Sequence, residues 1–393
     1  MLKAQTGAST NADPAQAGRE AAAKAKTGVS DPKLAFVYSG VQYDQGKLLA
    51  AIGAELPGVP LIGNTSFTGV ITPEGFISGE QGFVGLMLLG GPGLTVGRAG
   101  SAKIGGDARA TGRKVALEAL AAAGKSAGGR VEPPSYFYMV APPGEEEFYL
   151  KGIAEAIGRV PVFGGSAADN EIAGKWLLFT DQLVTADGVA VAFFWTDGPM
   201  ANVFTGAYEE TGNVGIITKI RGNRTLVEID GQPAVERYAG WTGKKASELK
   251  GFDLLVATIT APLGVKDRLG ELVAIRHPMN GNDDLSMEIG ANLAVNTAVI
   301  QMAGSVDRLI ASAGSTVGEA KRKLGGTPAA LHLIHCGGRR AGIGERIGEV
   351  AAAIKAEAGP IPFIVEFTFG EYGSFDDGNN TTGGLMLSYT ALS

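Results

Sequence analysis

Two runs decide how this chain is read: ALHLIHCGGRRAGIGERIGEV at residues 330–350 and IPFIVEFTFGEYGSFDDGNNTTGGL at residues 361–385. A continuous apolar run that gives way to glycine and polar residues reads as a strand buried on both faces. The C-terminal ends of such strands are where open α/β sheets hold ligands. The first run ends in Cys336, Gly337, Gly338, Arg339 and Arg340, the second in Glu366, Phe369, Gly370 and Glu371. No other part of the chain is as dense in chemistry.

Working outward, the same order of elements recurs. VPLIGNTSFTG at 59–69 is answered by VPVFGGSAADN at 160–170. Pro60 and Pro161 lie 161 − 60 = 101 positions apart, and Gly63/Gly164 and Thr65/Ser166 keep that offset. Ahead of the first segment, the patterns predict a helix at 13–26 (Asp13 capping, Pro14 in the first turn), a strand at 34–39 and a helix at 43–56. A strand at 82–89 follows it and is expected to be its hairpin partner. The second copy has helices at 107–123 and 145–157 and strands at 136–141 and 189–195. A third, more divergent copy fits the opening stretch: helix 305–324, strand 330–336, helix 343–358, strand 361–369 and a closing strand 384–389. An internal duplication of this kind predicts one repeated structural unit.

Between the second and third copies the pattern changes. Residues 213–238 alternate like strands around turn signals at Arg221–Gly222–Asn223–Arg224 and Asp230–Gly231. Residues 254–260 and 272–276 read as further strands, followed by a polar run at 277–284. The expected fold class is therefore α/β, with mixed sheets built from internal repeats and a β-rich insert in the C-terminal half. The division falls into 1–200, holding the two evident copies, and 201–393, holding the insert and the third. Repeat symmetry is expected to gather the strand ends (Asn64, Thr65 and Ser66; Ser166, Asp169 and Asn170; Cys336 to Arg340 with Glu366 and Glu371) into one cleft.

Composition narrows the function. The 393 residues are 45% hydrophobic and 19% charged with a net charge of −6, which supports a sizeable core and argues against a nucleic-acid footprint. One cysteine cannot form an internal disulfide, which fits a reducing compartment. The N-terminal residues lack the apolar region of a signal peptide, and the apolar runs are too short to span a bilayer. The expectation is a cytoplasmic protein with no membrane and no nucleic-acid partner.

Several motifs have a plain reading beside a functional one. Gly91-Pro-Gly93-Leu-Thr-Val-Gly97 has the wrong spacing for a dinucleotide loop and is followed by β-favouring residues, so a turn is expected. His332 and His335 are three apart on a strand, hence on opposite faces, which excludes a shared metal; with one cysteine and three histidines, no metal site is expected. Cys336 is a candidate nucleophile, with His335 or His277 as base and Glu371 nearby, or else a small buried residue closing a strand. Arg339 and Arg340 near a helix start suit an anion. Arg339 with Glu371 would hold an amino-acid zwitterion, with the amides of Asn64, Asn379 and Asn380, and Thr381 beside them, fixing remaining polar atoms. The plain alternative is that Arg339 and Glu371 pair with each other.

VPLIGNTSFTGVI, GNRTLVEIDGQPAVERY, HPMN, HCGGRR, GEY and NNTT occur here in an order that resembles FIST proteins, with paired N- and C-terminal FIST sensory domains. The resemblance implies a bacterial or archaeal signal-transduction sensor that binds a small ligand, amino-acid-like or anionic. Relatives carry kinase, cyclase or chemotaxis outputs; none follows Leu387, so a stand-alone copy acting on a partner protein in trans is expected. The resemblance also leaves open a haem sensor of nitric oxide, with His277 or His335 as axial ligand, and does not exclude an enzyme of hydrolase or acyl-transfer type.

Overall fold

Within each copy the chain runs outer strand, helix, first parallel strand, helix, second parallel strand, hairpin and return strand. In the first copy these are Lys3–Ser9, Pro14–Lys26, Pro32–Ser39, Gln45–Glu55, Leu61–Thr65, the pair Val70–Thr72 and Gly75–Ile77, and Val84–Gly90. In the second they are Leu94–Ala102, Ala108–Ala122, Tyr136–Ala141, Glu146–Ile157, Val162–Ser166, the pair Leu178–Thr180 and Leu183–Thr185, and Gly188–Thr196. In the third they are Met200–Thr205, Val306–Leu324, Ala330–Cys336, Ile347–Ala358, Phe363–Thr368, the pair Glu371–Ser374 and Asn380–Gly383, and Leu387–Leu392. This computed structural model describes residues 1–127, 130–266, 272–375 and 378–393; Asp376 and Asp377 of the opening stretch lie outside them.

All three six-stranded sheets share one order: outer, return, first parallel, second parallel, then a hairpin. The hairpin belongs to a different copy each time. That of the first copy completes the third sheet (Ile71 opposite Val365), that of the second completes the first (Leu178 opposite Asn64), and that of the third completes the second (Tyr372 opposite Gly164). Each copy thus caps a neighbour's open strand edge, which removes the liability of an unpaired edge. Three backbone bonds close the ring: Ala168 N–H to Thr65 O (2.9 Å), Phe67 N–H to Phe367 O (2.9 Å) and Phe369 N–H to Ser166 O (3.1 Å). Their donors are spaced 101 and 201 apart. The same holds for Pro60, Pro161 and Pro362, whose carbonyls accept from Ala35, Phe137 and Leu331 at 3.0 Å each. The third copy is real.

Strand alternation explains the layering. In Pro32–Ser39, Leu34, Phe36 and Tyr38 point to an interior shared by the three sheets, while Ala35 and Val37 meet the copy's own helices. Tyr138 and Val140 against Phe137 and Met139, and Ile334 against Leu331 and Leu333, repeat the scheme. Gly63 and Gly164 occur where two parallel strands run too close for a side chain: a Cβ would sit 1.7 Å from Val37 O or 2.0 Å from Met139 O.

Local signals hold at the helix ends. Asp13 accepts from Gln16 N–H, Ser305 from Arg308 N–H, and Gly325 ends its helix at φ 76°. Three expectations need correcting. The strand 82–89 does not pair with 59–71; Val84–Gly90 lies between Lys3–Ser9 and Pro32–Ser39, because the segment between becomes the exported hairpin. Residues 254–260 are not a strand: Phe252–Thr258 is a helix with Leu254, Leu255 and Thr258 inward. The helix expected at 343–358 is divided into Gly337–Ile343, a 3-10 turn at Gly344–Arg346, and Ile347–Ala358.

The insert folds between Thr205 and Val306 as one sheet that includes Glu209–Arg221, Thr225–Ile229, Leu263–Lys266, Leu272–Arg276 and Ala298–Ala303. It has its own core around Ile217, Tyr238, Leu254 and Met287. Arg224 fastens it to the second copy through Glu146 and Glu147 at the start of helix Glu146–Ile157 (2.7 Å to Glu147). Burial opposes the charge of both carboxyls; Arg224 and the Asn292 N–H hold Glu147 low, while Glu146 stays raised.

Candidate functional site: a cavity between the repeats and the insert

The strand ends do converge, but into two different places. On the inner faces a knot of polar side chains forms with no opening. Tyr38 OH lies 2.5 Å from His332 Nε2 and 3.4 Å from Tyr138 OH; Tyr138 OH reaches Asn64 Oδ1 (3.1 Å) and Glu366 Oε1 (3.2 Å). Asn64 Nδ2 donates to Glu366 Oε2 at 2.9 Å. All five are fully buried. Burial raises Glu366 to about 7, against the pull of its hydrogen bonds, and lowers His332 to about 3, so neither charge is favoured there. The expected single cleft is corrected accordingly: at the axis, Thr65, Ser166 and Phe367 are closed by the backbone ring.

Beside that ring lies a cavity of about 260 Å3. One wall comes from the repeats: Phe67 and Phe369, Ile172 and Trp176, and the Cys336–Gly337–Gly338 turn. The insert supplies the other, with Leu255, His277, Met279 and Gly290. Phe67 and Phe369 stand 5.7 Å apart, and Trp176 meets Phe369 edge-on at 6.2 Å. Among the described residues, no lining side chain carries a formal charge.

Two polar side chains of its wall, Cys336 and His277, are bonded in part to the protein, with Glu371 and His335 behind them. Cys336 Sγ accepts N–H from Leu385 (3.1 Å) and Gly338 (3.3 Å). Burial and the neighbouring Glu371 push the thiol well up. Glu371 is raised to about 8 by burial although Met386 N–H (2.9 Å) and Thr368 Oγ1 (2.8 Å) bond it. His277 Nε2 lies 3.3 Å from the Leu255 carbonyl, and burial lowers the ring to about 4. His335 turns Nδ1 to Cys336 O (3.1 Å), leaves Nε2 without a partner, and packs on Phe367 at 5.3 Å.

The other sequence candidates lie elsewhere. Arg339 is fully buried and gives its donors to Gly206 O (2.6 Å), Leu309 O (3.0 Å) and Ser312 Oγ (2.5 Å). Neither Arg339 nor Glu371 lines the cavity, and the expected Arg339–Glu371 pairing is replaced by these carbonyl contacts. Arg340 stacks over Phe76 at 4.9 Å. Ser66 Oγ bonds Gly69 O (2.7 Å), Thr65 Oγ1 accepts from Leu177 N–H (2.9 Å), and Ser166 Oγ bonds Tyr372 OH (2.7 Å). Asp169 holds the loop after it by three backbone N–H groups, and Asn170 accepts from Thr68 N–H (3.0 Å). Asn380 stitches the exported hairpin to Val160 and Val162; Asn379 and Thr381 flank it. From the candidate set, the cavity gathers His277 and Cys336. Its aromatic lining went unread because Phe67, Trp176 and Phe369 are far apart in sequence; only the 67/369 repeat offset could have signalled two of them.

A haem does not fit these residues. His335 is sealed against Phe367, His277 spends Nε2 on a carbonyl, and about 260 Å3 is below even drug-sized sites. No group of metal ligands occurs among the described residues.

The fold is a mixed α/β body that encloses an aromatic cavity against an inserted subdomain. The FIST N domain model matches residues 33–232 and the FIST C domain model residues 234–374, and the chain belongs to this family of sensory domains that bind small ligands. No curated protein matches it. Among solved structures it is similar to a cyanuric acid hydrolase from A. caulinodans, at 11% identity over 100% of both chains with a TM-score of 0.34. It is also similar to PurL of T. maritima complexed with AMPPCP, at 10% identity over 99% of this chain and 72% of that one, TM-score 0.23. Likenesses this weak say nothing of what this chain binds. No helix of the described residues is long and apolar enough to cross a membrane.

Proposed function

We propose that this chain is a FIST-type sensor whose ligand is a small, neutral, largely apolar organic molecule held in the cavity between the repeats and the insert. One observation carries the reading: among the described residues the walls are mostly aromatic and aliphatic with no charged side chain, so a charged ligand would be buried there unpaired at a cost of several kcal/mol, on the order of what isolated buried ions incur. An amino-acid-like or small anionic ligand would need Arg339 to abandon its carbonyl partners. Because the two walls belong to different subdomains, occupancy would bias how the insert sits, and a partner protein in trans, in a reducing cytoplasm, would read that change. The rival reading, an enzyme using Cys336, draws on the two N–H groups at Sγ, while burial of the thiol weighs against it.

Filling the cavity tests this. Ala341 also lines the cavity, and native mass spectrometry of freshly purified wild type is expected to show a retained small mass that Ala341→Phe loses while still folding. Retention by Ala341→Phe would place the ligand elsewhere.

A further inference from the structure

Resting on the cavity reading above, one polar atom decides which neutral ligands are taken. A carbonyl oxygen can only accept, so His277 Nε2 at 3.3 Å from Leu255 O carries the hydrogen. In the neutral ring Nδ1 is then an acceptor with its lone pair uncommitted. Burial lowers His277 to about 4, so the ring stays neutral at ordinary pH. The other polar side chains of the lining, Trp176 and Cys336, offer nothing equivalent, since an indole N–H only donates. Cys336 Sγ already receives two backbone N–H groups. His277 lines the cavity, so a ligand that covers Nδ1 either bonds it or leaves that acceptor unpaired, which costs about 1–3 kcal/mol.

We propose that His277 is the specificity-determining residue and that the site selects flat aromatic molecules that donate one hydrogen bond, heteroaromatic N–H compounds above all. The aromatic walls supply affinity by burying a ring face or edge. His277 supplies the discrimination, because a site built to accept a hydrogen rejects the isostere that lacks it.

Two bicyclic probes of nearly equal shape separate these parts: indole, which has the N–H, and benzofuran, which has an oxygen there. Titration calorimetry with the full chain is expected to show both binding, indole about five- to tenfold tighter. His277→Phe removes the acceptor and keeps a ring; it is expected to abolish the preference by weakening indole alone. His277→Gln, whose amide can meet Leu255 O and still offer an acceptor, should keep the preference and covers a failure of His277→Phe to fold. Equal affinities in wild type, or a preference that survives in His277→Phe, would overturn the selection by His277 while leaving the cavity reading intact. Binding of neither probe would overturn both.

Discussion

The buried knot of Tyr38, Tyr138, His332, Asn64 and Glu366 and the cavity beside it sit at neighbouring strand ends and have opposite chemistry. In the knot, fully buried polar side chains from three copies bond one another. The cavity has space, and its walls are mostly apolar. Dense polar side chains at converging strands are here the fastening of a symmetric junction. The room for a ligand lies where that junction meets the insert, which belongs to one copy alone.

The largest effect that could break this contrast concerns the fastening of the insert. Arg224→Ala leaves Glu146 and Glu147 buried without their cation and should destabilise the fold by about 3–5 kcal/mol in urea unfolding. A loss under about 1 kcal/mol would mean that the insert is not held there. Next, Arg339→Lys removes the fork that serves Gly206, Leu309 and Ser312 and should cost about 3 kcal/mol with ligand absent. Weakened binding at unchanged stability would return Arg339 to the ligand.

The knot is sharpened by pH. Glu366 is raised from 4.5 to about 7, so folding favours its protonated form. Its contribution is full below the unfolded value and is lost as pH rises through about 7. The loss comes to about 3 kcal/mol. Glu366→Gln, neutral at every pH, should match wild type near pH 5 and exceed it near pH 8; Glu371, raised to about 8, adds a loss at higher pH that this substitution leaves in place. A wild type that gains stability between pH 5 and 8 contradicts this. The smallest effect belongs to the cavity wall: Cys336→Ala should leave ligand binding within about tenfold, about 1.4 kcal/mol, and complete loss of an activity with the fold intact would promote the nucleophile reading.

Much of the repeat was legible because backbone geometry recurs at fixed spacing: Pro60 and Pro161 accept the same bond, and Gly63 and Gly164 both sit where a Cβ would strike the neighbouring strand. The outer strands were not. Lys3–Ser9 (KAQTGAS) has no apolar alternation, since its place is set by pairing with Val84–Gly90. Nor was the exchange of hairpins, whose strands of three or four residues show no period and whose partners lie in another copy. Polar residues at strand ends looked like a site, yet Asn64, Glu366 and Arg339 meet protein groups. Leu255 and Met279 look like ordinary core residues until the insert is folded against the repeats.

The contrast between knot and cavity is tested most directly by methyl spectra of 13C-methionine-labelled protein during titration with indole. Met279 lines the cavity and Met87 lies in the shared interior with the knot. The Met279 signal is expected to move with saturation while Met87 stays in place. Movement of Met87 with Met279 unchanged would put the ligand in the junction and contradict the account.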